Sequence, residues 1–254
     1  MFRLFIVVLL IALGAQIPSS FAQTVSTPPA GPSAFTAQQR REIVDILRQA
    51  LRTDPTILRD AVTALQNDES ERQDGAARAA IADQREELLR APGDPFAGNA
   101  NGDVTVVEFY DIRCPYCRRM LPVVAELLRR DRNVRIVYKD IPILGPASVV
   151  GARALLAAER QGGYFKLRDA LMNGGGQLDE DTVKVAGKRV GLDVERLLRD
   201  MADPAIQARI DANLKLARVL TIQGTPAYII GDQFLPGAID ITDLQKTIAL
   251  ARRK

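Results

Sequence analysis

The chain has 254 residues, with 34 lysines and arginines against 31 aspartates and glutamates for a formal net charge of +3; it holds two cysteines, no histidine and no tryptophan. Without histidine, Ser/His/Asp and Cys/His catalysis and a Cys/His zinc site within one chain are excluded, and the evenly mixed charge lacks the basic stripe of a nucleic-acid binder. The length suffices for one or two hydrophobic cores, so a chain with a single cysteine pair takes its stability from burial and not from disulfide staples.

Residues 1–22 read as a cleavable secretory signal. Arg3 precedes an apolar run over 4–15, and Ser20-Phe21-Ala22 is a small-x-small pattern ahead of Gln23. The run is shorter than the roughly 20 residues that span a bilayer. Export implies a compartment in which disulfides persist. Residues 23–34, rich in Thr, Ser, Pro and Gly, read as a flexible lead.

Residues 35–91 predict a small all-α region. Ile43, Ile46, Leu47 and Leu51 share one helical face; Asp54-Pro55 opens a second helix carrying Ile57, Leu58, Ala61, Val62 and Leu65; a third covers 69–90, weakened at Gly75. Three such helices approach the lower size limit for a self-sufficient core. They pack either on the domain that follows or on copies of themselves. The Pro- and Gly-rich stretch 92–102 reads as a linker, which favours self-association.

Residues 103–254 predict the main domain. A strand over 103–110, apolar except for Glu108, leads into Arg113-Cys114-Pro115-Tyr116-Cys117-Arg118, and an amphipathic helix follows. A cysteine where a strand gives way to a helix meets unsatisfied backbone N–H groups and the positive end of the helix dipole, which favour thiolate over thiol. Cys114 is expected to face solvent, and Cys117, one turn on, to be shielded; Arg113, Arg118 and Arg119 add cationic charge. Pro115 suits the first helical position, where an N–H would go unpaired. A structural disulfide across so short a loop would contribute only about 2 kcal/mol. C-x-x-C in this setting is a redox pattern.

A second strand over 133–139 makes a right-handed βαβ unit with the first, with Lys139 expected beside Glu108. Pro122 is expected to kink the intervening helix. Residues 147–220 read as a helical insertion broken at Gly162-Gly163, Asn173-Gly174-Gly175-Gly176, Gly191 and Asp203-Pro204. Gly224-Thr225-Pro226 precedes a strand at 228–230 and a second near Phe234-Leu235, and an amphipathic helix over 240–250 closes the chain.

This order of elements resembles the thioredoxin superfamily: an α/β thioredoxin fold with a helical insertion, preceded by the small all-α region. The insertion makes it similar to the DsbA-like branch of exported thiol-disulfide oxidoreductases. The resemblance covers 103–254 and is carried by Phe109-Tyr110-Asp111-Ile112-Arg113-Cys114-Pro115-Tyr116-Cys117 and Gly224-Thr225-Pro226. With its N-terminal helices the chain resembles the suppressor-of-copper-sensitivity C (ScsC) proteins, in which such helices hold several redox domains together as a disulfide isomerase. The resemblance implies Cys114 as nucleophile, Cys117 as resolving thiol and Thr225-Pro226 as a cis loop facing the sulfurs. It further implies Glu108 as a buried acid below the pair, with Lys139 as its companion. The dipeptide Pro115-Tyr116 departs from the Pro-His of the strongest oxidants, which speaks against strong oxidising power. The implied setting is the periplasm; the implied partners are exported proteins with disulfides or thiols, a membrane thiol reductase as electron donor, and further copies of the chain. No cofactor or metal is implied for the exchange chemistry. A monomeric dithiol oxidase is the alternative enzyme, and a copper(I)-binding protein using both thiolates as soft ligands is the alternative outside enzymes.

Overall fold

The computed structural model describes residues 35–253, so the expected signal at 1–22 and flexible lead at 23–34 lie outside the described residues. The chain divides into two units between Thr63 and Ala64.

In the first unit, α1 (Ala37–Thr53) begins at a reciprocal cap. Thr36 Oγ1 accepts from the Gln39 N–H at 3.2 Å, and Gln39 Oε1 accepts from the Thr36 N–H at 2.8 Å. Asp54 ends α1 by donating its N–H to the Ala50 carbonyl at 2.8 Å, and its carboxylate accepts from the Thr56 N–H at 3.0 Å, opening α2 (Thr56–Asp83). The apolar periodicity has the predicted helical spacing, yet no residue of α1 is buried: Ile43, Val44, Ile46 and Leu47 are exposed, as are Ile57, Leu58 and Val62 after the turn.

The predicted break before Glu69 does not occur. Helix α2 runs through Gly75 to Asp83, and the chain breaks instead at Gln84, ahead of α3 (Arg85–Arg90). A glycine costs a helix only about 1 kcal/mol relative to alanine, and Ala, Glu, Gln and Arg on both sides of Gly75 carry the helix across it.

The second unit is built on a five-stranded sheet of order β1-β3-β2-β4-β5, formed by β1 (Phe96–Gly98), β2 (Val104–Tyr110), β3 (Val134–Asp140), β4 (Ala227–Ile230) and β5 (Gln233–Pro236). β2 and β3 are parallel, joined through α4 (Pro115–Arg130), as predicted; the other pairings are antiparallel. Helix α4 continues through Pro122. Five helices form the insertion: α5 (Pro146–Glu159), α6 (Tyr164–Gly174), α7 (Glu180–Arg189), α8 (Val194–Met201) and α9 (Pro204–Val219), interrupted where the glycines and Asp203-Pro204 predict. Helix α10 (Ile241–Ala251), capped by Asp240, ends the fold.

Strand residues alternate between two cores. Val106, Tyr110, Ile136, Tyr138 and Tyr228 face α4, α10 and the insertion, while Val107, Phe109, Val137 and Ile229 face the other way. Ile81 of α2 and Leu88 of α3 are buried in that second core. The region expected as a single oligomerisation unit over 35–91 is therefore divided, with its residues from Ala64 onward belonging to the unit that carries the sheet.

Residues 92–102 also differ from the expected linker. They carry β1, whose Ala97 lies opposite Ile136 of β3. The C-terminal part of that Pro- and Gly-rich stretch, after Gly98, is the turn joining β1 to β2, where the Gly102 N–H donates to the Asn99 carbonyl at 2.9 Å. Gly98 sits at φ +83°, and a Cβ there would lie 2.4 Å from the Val134 carbonyl oxygen.

Leu88→Ala is expected to destabilise the protein by about 2–5 kcal/mol in urea unfolding, because it empties a fully enclosed position. A loss below about 1 kcal/mol, the range of surface substitutions, would place α3 outside the core.

Candidate active site

At the C-terminal end of β2 the chain turns through Asp111, Ile112 and Arg113 before α4 begins. Buried Asp111 organises the turn: its Oδ1 accepts from the Arg113 N–H at 2.8 Å, and its Oδ2 accepts from the N–H groups of Ile143 and Leu144 at 2.9 and 3.0 Å. Its carbonyl accepts from the Cys114 N–H at 2.9 Å. Cys114 is the N-cap residue of α4 in an extended conformation, with Pro115 in the first helical turn, as the sequence predicts.

The Cys114 side chain makes no capping hydrogen bond. Its Sγ instead donates to the Thr225 carbonyl oxygen at 3.2 Å, beside the cis Thr225-Pro226 peptide. The expectation that Cys114 faces solvent is corrected here: it is 4% exposed against 1% for Cys117, with its Sγ against the Thr225 carbonyl. Both cysteines are free thiols. Burial pushes the Cys117 thiol well above its ordinary range; a backbone hydrogen bond from Asp111 opposes this, and the nearby Glu108 carboxylate adds to it.

The flanking arginines have their own partners. Arg113 donates to the Leu144 carbonyl at 3.0 Å, Arg118 reaches the Met172 carbonyl at 3.4 Å, and Arg119 stacks on the ring of Tyr116 at 4.2 Å. That leaves the aromatic ring of the C-P-Y-C motif exposed beside the sulfurs.

Glu108 shares a sheet face with Tyr138 and Tyr228, its register partners on β3 and β4. It is buried, and its Oε1 accepts from the Tyr228 hydroxyl at 3.2 Å. Burial raises its pKa to about 7, against the pull of the Arg168 guanidinium and the Tyr228 hydrogen bond. Lys139, expected as its companion, is on the other face. The parallel register sets Lys139 beside Phe109, so the period of two points its side chain away from Glu108. There Nζ pairs with the Asp94 carboxylate and donates to the Glu87 carbonyl.

Several residues of this site carried no recognisable signal. Tyr228 is fixed by strand register alone, and Arg168 reaches the site from α6, where its guanidinium lies 5.3 Å from the Tyr138 ring centroid. Asp140, also buried, accepts from the Tyr164 hydroxyl at 2.9 Å, and burial raises its pKa to about 7. Asp111 was legible as part of the motif that surrounds the cysteines, but two of its three amide contacts come from a loop more than thirty positions away. Among the described residues no group of three or more His, Cys, Asp or Glu side chains is placed to hold a metal ion.

A sheet whose central parallel strand delivers one cysteine to a helix start, against a cis-proline turn from the neighbouring strand, defines a thioredoxin-fold protein with a paired-thiol site. The chain belongs to the DSBA-like thioredoxin domain family, whose model matches residues 105–249. It is similar to a thioredoxin-like oxidoreductase from Silicibacter pomeroyi DSS-3, at 44% identity and TM-score 0.65, covering 67% of this chain and 98% of that one. It is also similar to Proteus mirabilis ScsC in a transitional conformation, at 28% identity and TM-score 0.63, covering 86% of this chain and 99% of that one. A Na+/H+ antiporter NhaA 1 of Salinispora arenicola is 31% identical over 169 residues, covering 64% of this chain and 26% of the antiporter. The chain thus spans about a quarter of the length of the curated antiporter relatives it matches. Among the described residues no helix is long and apolar enough to cross a membrane.

Glu108 ionises near 4.5 when unfolded and near 7 in place, so the folded protein holds a proton that the unfolded chain releases between those values. Stability therefore falls as pH rises through that window and stays lower above it. Glu108→Gln removes the charge, so its stability relative to the parent is expected to improve by about 2–3 kcal/mol between pH 4.5 and about pH 8.5. Urea unfolding of both proteins at the two pH values measures this; an unchanged difference would show that Glu108 does not titrate in that window.

Proposed function

We propose that this protein is a periplasmic thiol-disulfide oxidoreductase that reduces and isomerises disulfides of exported proteins, with Cys114 attacking and Cys117 resolving. The observation that carries the reading is Cys114 Sγ at the start of α4, 3.2 Å from the Thr225 carbonyl, with Cys117 enclosed one turn behind it. The first supplies a nucleophile and a backbone edge to receive a client strand; the second keeps the resolving sulfur from reacting with anything but its neighbour.

In exchange, the Cys114 thiolate forms a bond to one client sulfur as the client S–S bond breaks, and the other client sulfur leaves as thiolate. For isomerisation, a client thiolate attacks the mixed disulfide and returns Cys114 as thiolate, with no net change in electrons. For reduction, Cys117 loses its proton to Glu108 and attacks Cys114 Sγ, and the client departs with both sulfurs reduced. Two electrons have then left the protein, and a membrane thiol reductase restores the dithiol. A pKa near 7 suits Glu108 to this transfer.

The exposed apolar stripe of the first unit supports self-association, which presents several exchange sites to one client. Its residues Ile46 and Leu47 are 68% and 58% exposed, more apolar surface than one amphipathic helix leaves in water without a partner.

Cys114→Ala is expected to abolish disulfide exchange, while Cys117→Ala accumulates a mixed disulfide with the client, read by mass spectrometry and cleared by dithiothreitol. Retained exchange in Cys114→Ala would end the proposal. Replacing Ile46 and Leu47 by Glu is expected to convert an assembly to monomers in light scattering and to lose recovery of scrambled ribonuclease, while insulin reduction persists. A monomeric parent with full isomerase activity would remove self-association from the account.

A further inference from the structure

A cavity of about 950 Å³ opens at the end of the sheet away from the cysteines. Val104 and Thr105, at the start of β2, line it, and β2 then runs from there toward the redox turn, about 20 Å along the strand. The volume falls in the range of small-molecule sites.

The lining has two chemistries. Arg78, Arg85, Arg90 and Arg135 contribute four guanidiniums, and among the described residues none of them forms an ion pair with a carboxylate. Arg135 is held in place by donating to the Leu89 carbonyl at 3.0 Å and by stacking over Phe96 at 4.9 Å, yet its Nε is enclosed without a hydrogen-bond partner. An enclosed guanidinium N–H with no acceptor is an unfilled requirement. The two carboxylates at the rim are engaged: Asp103 pairs with Arg252 at 2.9 Å, and Asp232 accepts from Gln233 Nε2 at 2.9 Å. Between the arginines the floor is apolar, formed by Ile81, Leu88 and Ile229.

We infer that this cavity binds an amphiphilic organic anion, a carboxylate or phosphate monoester carried on an apolar body. The planar fork of arginine matches both oxyanions. An inorganic anion leaves the apolar floor in water, and a neutral apolar molecule leaves the guanidiniums without acceptors. Only a ligand with both parts satisfies the lining. Such a site is separate from the thiol pair and places a second binding function on the domain.

Calorimetric titration of the protein as isolated from the cell tests the assignment, with octanoate, octyl phosphate, 1-octanol and inorganic phosphate as probes. At least one of the two octyl anions is expected to bind at a single site, and the better of them identifies the headgroup. The alcohol and the inorganic ion are expected to bind about tenfold more weakly or not at all. Arg85→Glu combined with Arg90→Glu, both at exposed positions, is expected to weaken the octyl anion by about tenfold while thiol labelling of Cys114 is unchanged. Arg135→Lys keeps the charge without the fork and is expected to weaken binding as well. Absence of binding by both octyl anions, equal binding of 1-octanol, or full affinity in the Arg85/Arg90 variant would overturn the inference.

Discussion

One buried carboxylate holds the redox end of the sheet together. Asp111 accepts from three backbone N–H groups, one in the turn that leads to Cys114 and two in the segment after β3. These hydrogen bonds join the turn after β2 to the segment after β3, and the Arg113 guanidinium at the Leu144 carbonyl adds a further link across the same junction. The start of α4, and with it the placement of both sulfurs, follows from that junction. The Thr225 carbonyl then accepts from Cys114 Sγ.

The period of two along β2 and β3 decides where every other buried charge can go. Glu108 points into a face rich in tyrosine, where hydroxyls are the available donors. Lys139 points into the opposite core, where Asp94 and the carbonyl of Glu87 meet it, and Arg209 approaches the same Asp94 at 3.1 Å. A buried pair of this kind adds little net stability but is costly to break, because the survivor remains charged in an apolar surrounding. It ties the segment before β1 to β3. This accounts for residues 92–102 lying in the sheet domain despite a composition that reads as a spacer.

Much of this was legible in the sequence because the signals are local. The C-P-Y-C junction, the apolar strands 104–110 and 134–140, and the glycine breaks of the insertion each depend on neighbours within a few positions. The misreadings concern partners far apart in the chain. Pairing Glu108 with Lys139 followed from strand adjacency without the register that sends them to opposite faces. Cys114 is buried with its Sγ against the carbonyl of Thr225, which lies 111 positions away. Likewise, the helical periodicity of residues 35–91 is real, but only the fold distinguishes Leu88, which is enclosed, from Leu47, which is exposed.

The cover over Cys114 also bears on how this sulfur ages. Oxidation beyond the sulfenic stage follows thiolate character and access to small oxidants. On the proposed reading, Cys114, buried with its Sγ against the Thr225 carbonyl, is sheltered from peroxide that arrives by diffusion, whereas an extended polypeptide received along the Thr225 backbone edge is brought to the sulfur. Shelter from chance damage and admission of a client thus come from the same few atoms.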